Sequence, residues 1–453
     1  MTDDQAPTGV SYAPLERFFE RLLNPFEQFV HRQSSSGILL MLTTFFALVC
    51  ANSWLTPLYF QLRDTPVIVG IGTWILNKPL LLWVNDLLMA FFFFVVGLEL
   101  KRELLFGELA SPRKAALPLV AAIGGMAIPA LIYSAFNGSG IEASGWAIPM
   151  ATDIAFAIGV LVLLGNRVPK TLMVFLVAIA IIDDLGAVIV ISLFYSKDIQ
   201  MEYLAYAGGV AGTMFVLNRF GVRKIVPYFL LAMGLWYVML KSGVHPTLAG
   251  VIGAFMVPAV PKYNPEYFSH KTRQLLKKFD DSYRQNQSII RNAEMREIML
   301  AFEYSAQNAS TVSLRLEHIW HLPVAFLVVP VFAFFNAGIS LTVDQMMTAL
   351  GSSVFQGTFW GLLLGKFIGI FGLTWIATRL KILELPEGLN YTHVAGMSLI
   401  AGIGFTMSIF ISSLAFSQAD DLLVTAKAGI FAASLTAGIL GYLVLRKSGT
   451  QRS

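Results

Sequence analysis

The chain has 453 residues, of which 56% are hydrophobic and only 13% charged, with a formal net charge of +4. A soluble domain carries about 25% charged residues, so the composition excludes an ordinary soluble protein and describes one multi-span membrane bundle. The basic excess does not imply a nucleic-acid partner, because it is confined to loops, and the single cysteine, Cys50, excludes an internal disulfide.

Residues 1–36 mix acids, bases and prolines without a cleavable leader pattern and are read as a cytoplasmic N-terminal segment. Apolar stretches then recur at 37–55, 80–100, 115–136, 146–165, 171–194, 203–218, 225–240, 244–260, 322–340, 354–378, 393–416 and 422–445. They predict an all-α polytopic membrane protein of about twelve transmembrane helices, since a crossing needs roughly 20 apolar residues. Spans 1–8 fall in 37–260, a long cytoplasmic connection in 261–320, spans 9–12 in 321–446 and a cytoplasmic tail in 447–453. The loop charges agree with this threading. Only Arg63, Lys78, Lys197, Lys241 and Lys427 fall on the outer side, Lys366 lies inside a span, and the other basic residues are cytoplasmic. That asymmetry follows the positive-inside rule with both termini cytoplasmic.

Between the first two spans, residues 57–79 are rich in β-branched residues around a Gly-Ile-Gly-Thr break and predict an outward β-hairpin. An exposed hairpin edge can pair with a second copy, so a homodimer contact is expected there. Asp86 in the second span lies near its interfacial end and is read as structural. The same span ends in GLELKREL, which supplies Glu99, Lys101, Arg102 and Glu103, with Glu99 and Glu103 on one helix face.

In the fourth span, Thr152 and Asp153 follow Pro149, which interrupts the apolar run. The fifth span, TLMVFLVAIAIIDDLGAVIVISLFY, holds Asp183 and Asp184 at its centre. A carboxylate there costs about 2.5–3.5 kcal/mol by insertion scales, and two neighbours repel each other. The pair is therefore read as the holder of a proton or a cation, against the alternative of a satisfied structural cluster. Successive helical residues are rotated by about 100°, so the two cannot face the same way. His245 opens the eighth span.

The charged 262–313 stretch is helical in pattern and reads as a solvated cytoplasmic unit, with a membrane-surface position as the alternative. RLEHIWH supplies Arg315, Glu317, His318 and His321, a possible pH-sensing group since histidine titrates near neutrality. Lys366 lies within the tenth span, and Gly402-Ile-Gly404, with Thr406 and Ser408 after it, breaks the eleventh. Paired interrupted spans, one in each half, point to a midplane site in inverted-repeat transporters. Half-helix ends carry partial charges, which Asp153 and Lys366 would compensate at N- and C-termini respectively; Lys366 is also a partner for one central aspartate. His318 and His321 lack the HExxH order of a zinc hydrolase, and no credible nucleophile constellation supports an enzyme.

These motifs together resemble the NhaA-type bacterial sodium/proton antiporters. The matching pieces are LLWVNDLLMAFFFFVVGLELKREL, PMATDIAFAIG, VAIAIIDDLGAVIVI, SGVHPTLAGV, FAFFNAGISL, LLLGKFIGI and AGIGFTMSIFISSLAF, spread over residues 80–440. The family is itself a standard example of inverted-repeat transporters with two broken helices. The resemblance implies an inner-membrane secondary antiporter, with no cofactor beyond the transported ions. It would export sodium, and lithium, in electrogenic exchange for protons by alternating access, and would be activated at alkaline pH. It further implies that Asp183 and Asp184 bind the ion, with Asp184 the direct sodium ligand and Asp183 the partner of Lys366. Thr152 and Asp153 match the broken-helix crossing. Glu99, Arg102, Glu103, His245, Glu317 and His318 match positions tied to pH response, and 57–79 matches the dimer hairpin. The 262–313 stretch is longer than in the best-known members, which leaves its regulation open. A cation channel lined by the same carboxylates is the rival of a different class.

Overall fold

The structure is a computed structural model that describes residues 33–71, 74–196, 198–282, 292–340 and 343–448. Most of the N-terminal segment 1–36 and of the tail 447–453 therefore lies outside the described residues.

In hydrocarbon every backbone N–H and C=O must be paired within the protein, and the apolar runs accordingly form helices. Helix α1 (Gln33–Ala51) turns through 109° into α2 (Thr56–Asp64). Strands β1 (Pro66–Ile71) and β2 (Trp74–Pro79) pair antiparallel, with Val67 opposite Lys78 and Gly70 opposite Ile75. The hairpin expected over 57–79 is thus confined to its second part. Residues 57–64 are helical because Pro57 opens the turn and PLYFQLRD contains no β-branched residue, whereas the β-branched cluster starts at Thr65.

The chain continues as α3 (Leu80–Phe106), which contains a π turn at Val84–Leu88, and α4 (Pro112–Phe136). A 3-10 segment, Glu142–Met150, meets α5 (Ile154–Leu163) at a 42° break. Next come α6 (Lys170–Phe194), α7 (Met201–Arg219), α8 (Ile225–Ser242) and the short α9 (Thr247–Met256). Helices α10 (Pro265–Ser282) and α11 (Ala293–Ala309) pack against each other within the charged connection. Then follow α12 (Val312–Ala337), α13 (Val343–Gly351) and α14 (Ser353–Arg379). Helix α15 (Tyr391–Ile400) meets α16 (Phe405–Ala415) at a 45° break, and α17 (Asp420–Ser448) closes the described chain.

Among the described residues, seven helices are long and apolar enough to cross a membrane, or ten if each bent pair is one span. The remaining two of the expected twelve are α7 and α9. Helix α9 has 10 residues, which rise about 15 Å, half of a hydrocarbon core about 30 Å thick.

Two apolar clusters organise the bundle. The larger joins α1, α3 and α4–α6 to α9, α12 and α14–α17 through residues such as Phe93, Ile179, Phe332, Leu362, Phe410 and Ile430. The second joins α3 to α7–α9 through Phe94, Met214, Tyr228, Trp236 and Ala254. Helices α4 and α14 approach so closely at Gly124 and Gly369 that a Cβ on either would overlap the other's carbonyl oxygen. That approach brings the middle of α14, with Lys366, into the bundle beside α6.

Candidate functional site

The site is built where two broken helices meet a continuous one. At the breaks, Asp153 N–H donates to Ile403 O at 2.7 Å, and Ser408 Oγ donates to Ile148 O at 2.7 Å. The two interruptions are therefore tied to each other by backbone groups that a continuous helix would have used internally. Asp153 Oδ1 accepts from Phe156 N at 3.1 Å and caps α5. Its Oδ2 accepts from Thr406 N at 3.0 Å and from Thr406 Oγ1 at 2.5 Å, at the start of α16. One carboxylate thus faces the positive ends of two half-helices.

Thr152 Oγ1 lies 3.0 Å from Ala401 O, the last turn of α15, and also 3.0 Å from Asp183 Oδ2. A hydroxyl has one proton to donate, so it can serve the helix end or the aspartate but not both at once. When Asp183 is protonated, it can itself donate to Thr152 Oγ1.

Helix α6 carries the aspartate pair without a break. Lys366 Nζ lies 2.5 Å from Asp183 Oδ2, and both side chains are 0% exposed. Lys366 sits mid-helix, between π turns at Gly361–Gly365 and Phe367–Gly372. The expectation that it compensates a half-helix C-terminus is thereby corrected. Its charge is taken by Asp183, and the polar side chain beside the Ala401 carbonyl is that of Thr152.

Asp184 faces elsewhere. It is 1% exposed, and among the described residues neither of its oxygens has a hydrogen-bond partner, nor has Asp183 Oδ1. Burying a charged group without partners costs far more than burying a paired one. An ionised carboxyl here needs a partner that the described side chains do not supply.

The residues matched to pH response do not form one group. Arg102 Nη1 lies 2.5 Å from Glu317 Oε1, and its Nη2 is 3.1 Å from Glu103 and 3.9 Å from Glu99. These four join α3 to α12. His318 is exposed at the next position. His245 is separate from them: its Nδ1 lies 2.8 Å from Thr247 Oγ1, and its ring packs edge-on against Phe410 of α16. It opens α9 at the end opposite to the one that packs beside Lys101. Asp86 pairs with Lys78 at 2.7 Å, as its interfacial place suggested.

Sequence reasoning passed over a buried amide pair. Asn336 Nδ2 donates to Asn85 Oδ1 at 2.8 Å and joins α12 to the π turn of α3. The signal was present as one polar residue in each of two apolar runs, LWVNDLL and FAFFNAG. Lys427, counted with the outer loop, is buried within α17.

The family model for Na+/H+ antiporter 1 matches residues 27–445. The chain is 47% identical to Na(+)/H(+) antiporter NhaA 1 of Saccharophagus degradans, over 97% of this chain and 94% of that one. It is 46% identical to Na(+)/H(+) antiporter NhaA of Sulfurimonas denitrificans, over 96% and 98% of the two chains. With its counterpart from Helicobacter pylori the identity is 44%, over 92% and 94%. These relatives are named as transporters and not as enzymes. By coverage and identity together, the chain is a multi-pass membrane protein that belongs to the Na+/H+ antiporter 1 family.

Proposed function

We propose that this protein exchanges sodium, and lithium, for protons across the bacterial cytoplasmic membrane, at Asp183 and Asp184. The observation that carries the reading is the Asp184 carboxyl, buried with both oxygens unpartnered among the described residues, beside the Lys366–Asp183 pair. An ionised Asp184 offers oxygens to a hard cation, whereas a protonated one does not. Sodium and protons then compete for one place, which is the condition for exchange rather than co-transport.

The chain's own groups divide the work. Asp184 holds the sodium. Asp183 contributes its free Oδ1 while Lys366 and Thr152 balance its Oδ2. Protonation of Asp183 releases Lys366, and Thr152 is placed to accept the new O–H. Asp153 keeps the two half-helices in register through both states. Alternating access would follow from movement of the α5, α6, α14 and α15–α16 group against the α3 and α7–α9 group.

Exchange of more than one proton per sodium moves net charge inward, worth about 2.3 kcal/mol per charge per 100 mV, so a negative interior drives sodium out. The reading carries twelve spans in inverted repeats with both termini cytoplasmic, and a homodimer through the 57–79 segment. Exchange would increase at alkaline pH, with Glu99, Arg102, Glu103, Glu317 and His318 on the cytoplasmic side and His245 beyond the site.

The test is sodium-triggered proton movement in everted vesicles acidified by respiration. Wild type collapses the acid gradient on sodium addition and Asp184→Asn does not. Sodium movement without proton movement would favour the channel instead.

A further inference from the structure

Helix α9 ends within the bundle at Met256, and the chain leaves it through Val257 and Pro258. The last carbonyls of a helix have no partner within it. Here Lys101, reaching over from α3, places Nζ 2.6 Å from Phe255 O and against Val257 O. A cation at a helix C-terminus is favourable on two counts, through charge-assisted hydrogen bonds and through the helix dipole. Among the described residues, no carboxylate lies within ion-pair distance of Lys101, since Arg102 next to it takes Glu317, Glu103 and Glu99. Lys101 is committed to the end of α9.

The residue whose carbonyl it holds also packs toward α6, the helix that carries the aspartate pair. The Phe255 side chain packs into an apolar cluster made by Leu100, Leu109, Ala178 and Ile181, joined by Ile154, Ile182 and Leu185. Ile181 lies three residues before Asp184 and therefore shares its helix face. Asp183 points away from that face, toward Lys366 and Thr152. The fit of α9 on α3 is otherwise fixed by close backbone approach, with Gly250 against Ala90 and Phe94, and Gly97 against Ala254. Lys101 holds the C-terminal end of α9 at Phe255 and Val257, and Asn218 donates to Met256 O between them at 2.9 Å.

We propose that Lys101 is a positioning residue of the exchange reaction: by tying down the C-terminus of α9, it seats Phe255 against the face of α6 that carries Asp184. The inference rests on the reading of Asp184 as the sodium ligand. With Phe255 seated, the Asp184 face is kept dry and in one orientation. With it loose, water and alternative positions of α6 weaken sodium binding, while the protonated site still returns.

The experiment is sodium-dependent proton flux in proteoliposomes, with purified wild type, Lys101→Met, Lys101→Arg, Phe255→Ala and the double variant Lys101→Met/Phe255→Ala. Lys101→Met raises the apparent KM for sodium about tenfold, a coupling of ordinary size between two sites, and leaves the maximal rate largely unchanged. Lys101→Arg restores the wild-type KM. Phe255→Ala reproduces the rise, and the double variant adds nothing to it, because both changes remove the same seat. An unchanged KM in Phe255→Ala overturns the proposal even if Lys101→Met cannot be purified. Multiplying effects in the double variant also overturn it. Absence of exchange in wild type would instead remove the sodium reading on which the inference stands.

Discussion

Asp153 and Thr406 meet across the two helix breaks, with one carboxylate oxygen of Asp153 taking both the backbone N–H of Thr406 at 3.0 Å and its hydroxyl at 2.5 Å. The other oxygen caps α5 through Phe156. A single negative charge therefore stabilises two half-helix N-termini that point at each other, and its loss is felt by both.

Asp153→Asn keeps the shape and one acceptor oxygen but removes that charge. A cap and a dipole interaction are each worth about 1–2 kcal/mol in a buried setting. The variant should therefore unfold at a lower temperature in detergent, by a margin of that order, and exchange more slowly at every sodium concentration. Thr406→Ala should cost less, since the backbone N–H remains. If Asp153→Asn melts and transports like wild type, the carboxylate does not hold the breaks together.

The Lys366–Asp183 pair calls for a different pattern. Both groups are 0% exposed, and removing one partner of such a pair leaves an uncompensated charge at a cost of about 3–5 kcal/mol. Lys366→Met should be strongly destabilised in thermal unfolding. Adding Asp183→Asn to it should recover most of the loss, because a neutral amide tolerates the apolar surroundings. Failure of the second change to rescue the first would mean that Lys366 stabilises the bundle through something other than this aspartate.

Much of this site is legible in the residues alone, and the reasons are physical. An acidic pair in a hydrocarbon span is too costly to be idle, so Asp183 and Asp184 stand out without any fold. Rotation along the helix separates their directions, but it cannot say which one meets Lys366. That depends on the approach of α4 and α14 at Gly124 and Gly369, a tertiary fact. The hairpin is visible in its β-branched residues, and its boundary lies where they begin at Thr65, after the helical turn that Pro57 opens. The resemblance sets His245 with Glu317 and Arg102 as a pH-response residue, yet α9 carries it to Phe410 of α16. Lys101 looked like ordinary loop charge because its partners are carbonyls, which no side-chain pattern records.

Competition between sodium and protons fixes the sign of the pH dependence. Sodium needs ionised carboxylates, so lowering the pH on the cytoplasmic side fills them with protons and raises the apparent KM for sodium. In the acidic limb, one competing proton raises KM about tenfold per pH unit, and two raise it about a hundredfold. Saturating sodium should therefore move the rising limb of activity to lower pH. The measurement is KM against pH in everted vesicles at fixed membrane potential. A KM that does not change across the limb would separate proton transport from the sodium ligands.

The hairpin makes a prediction independent of transport. Ile68 and Ile75 lie on one face of the two-stranded ribbon and are 65% and 55% exposed, while Leu76 on the opposite face is buried. Trp83 Nε1 donates to Val67 O at 3.1 Å and ties the ribbon to the start of α3. Charged residues on an exposed strand are an effective block to pairing with a second copy. Replacing Ile68 and Ile75 with lysine should shift the purified protein from dimer toward monomer in light scattering. Exchange per protomer should remain near wild type, because every group that holds the ion lies within one chain. A dimer that survives both substitutions would place the contact between copies elsewhere on the bundle.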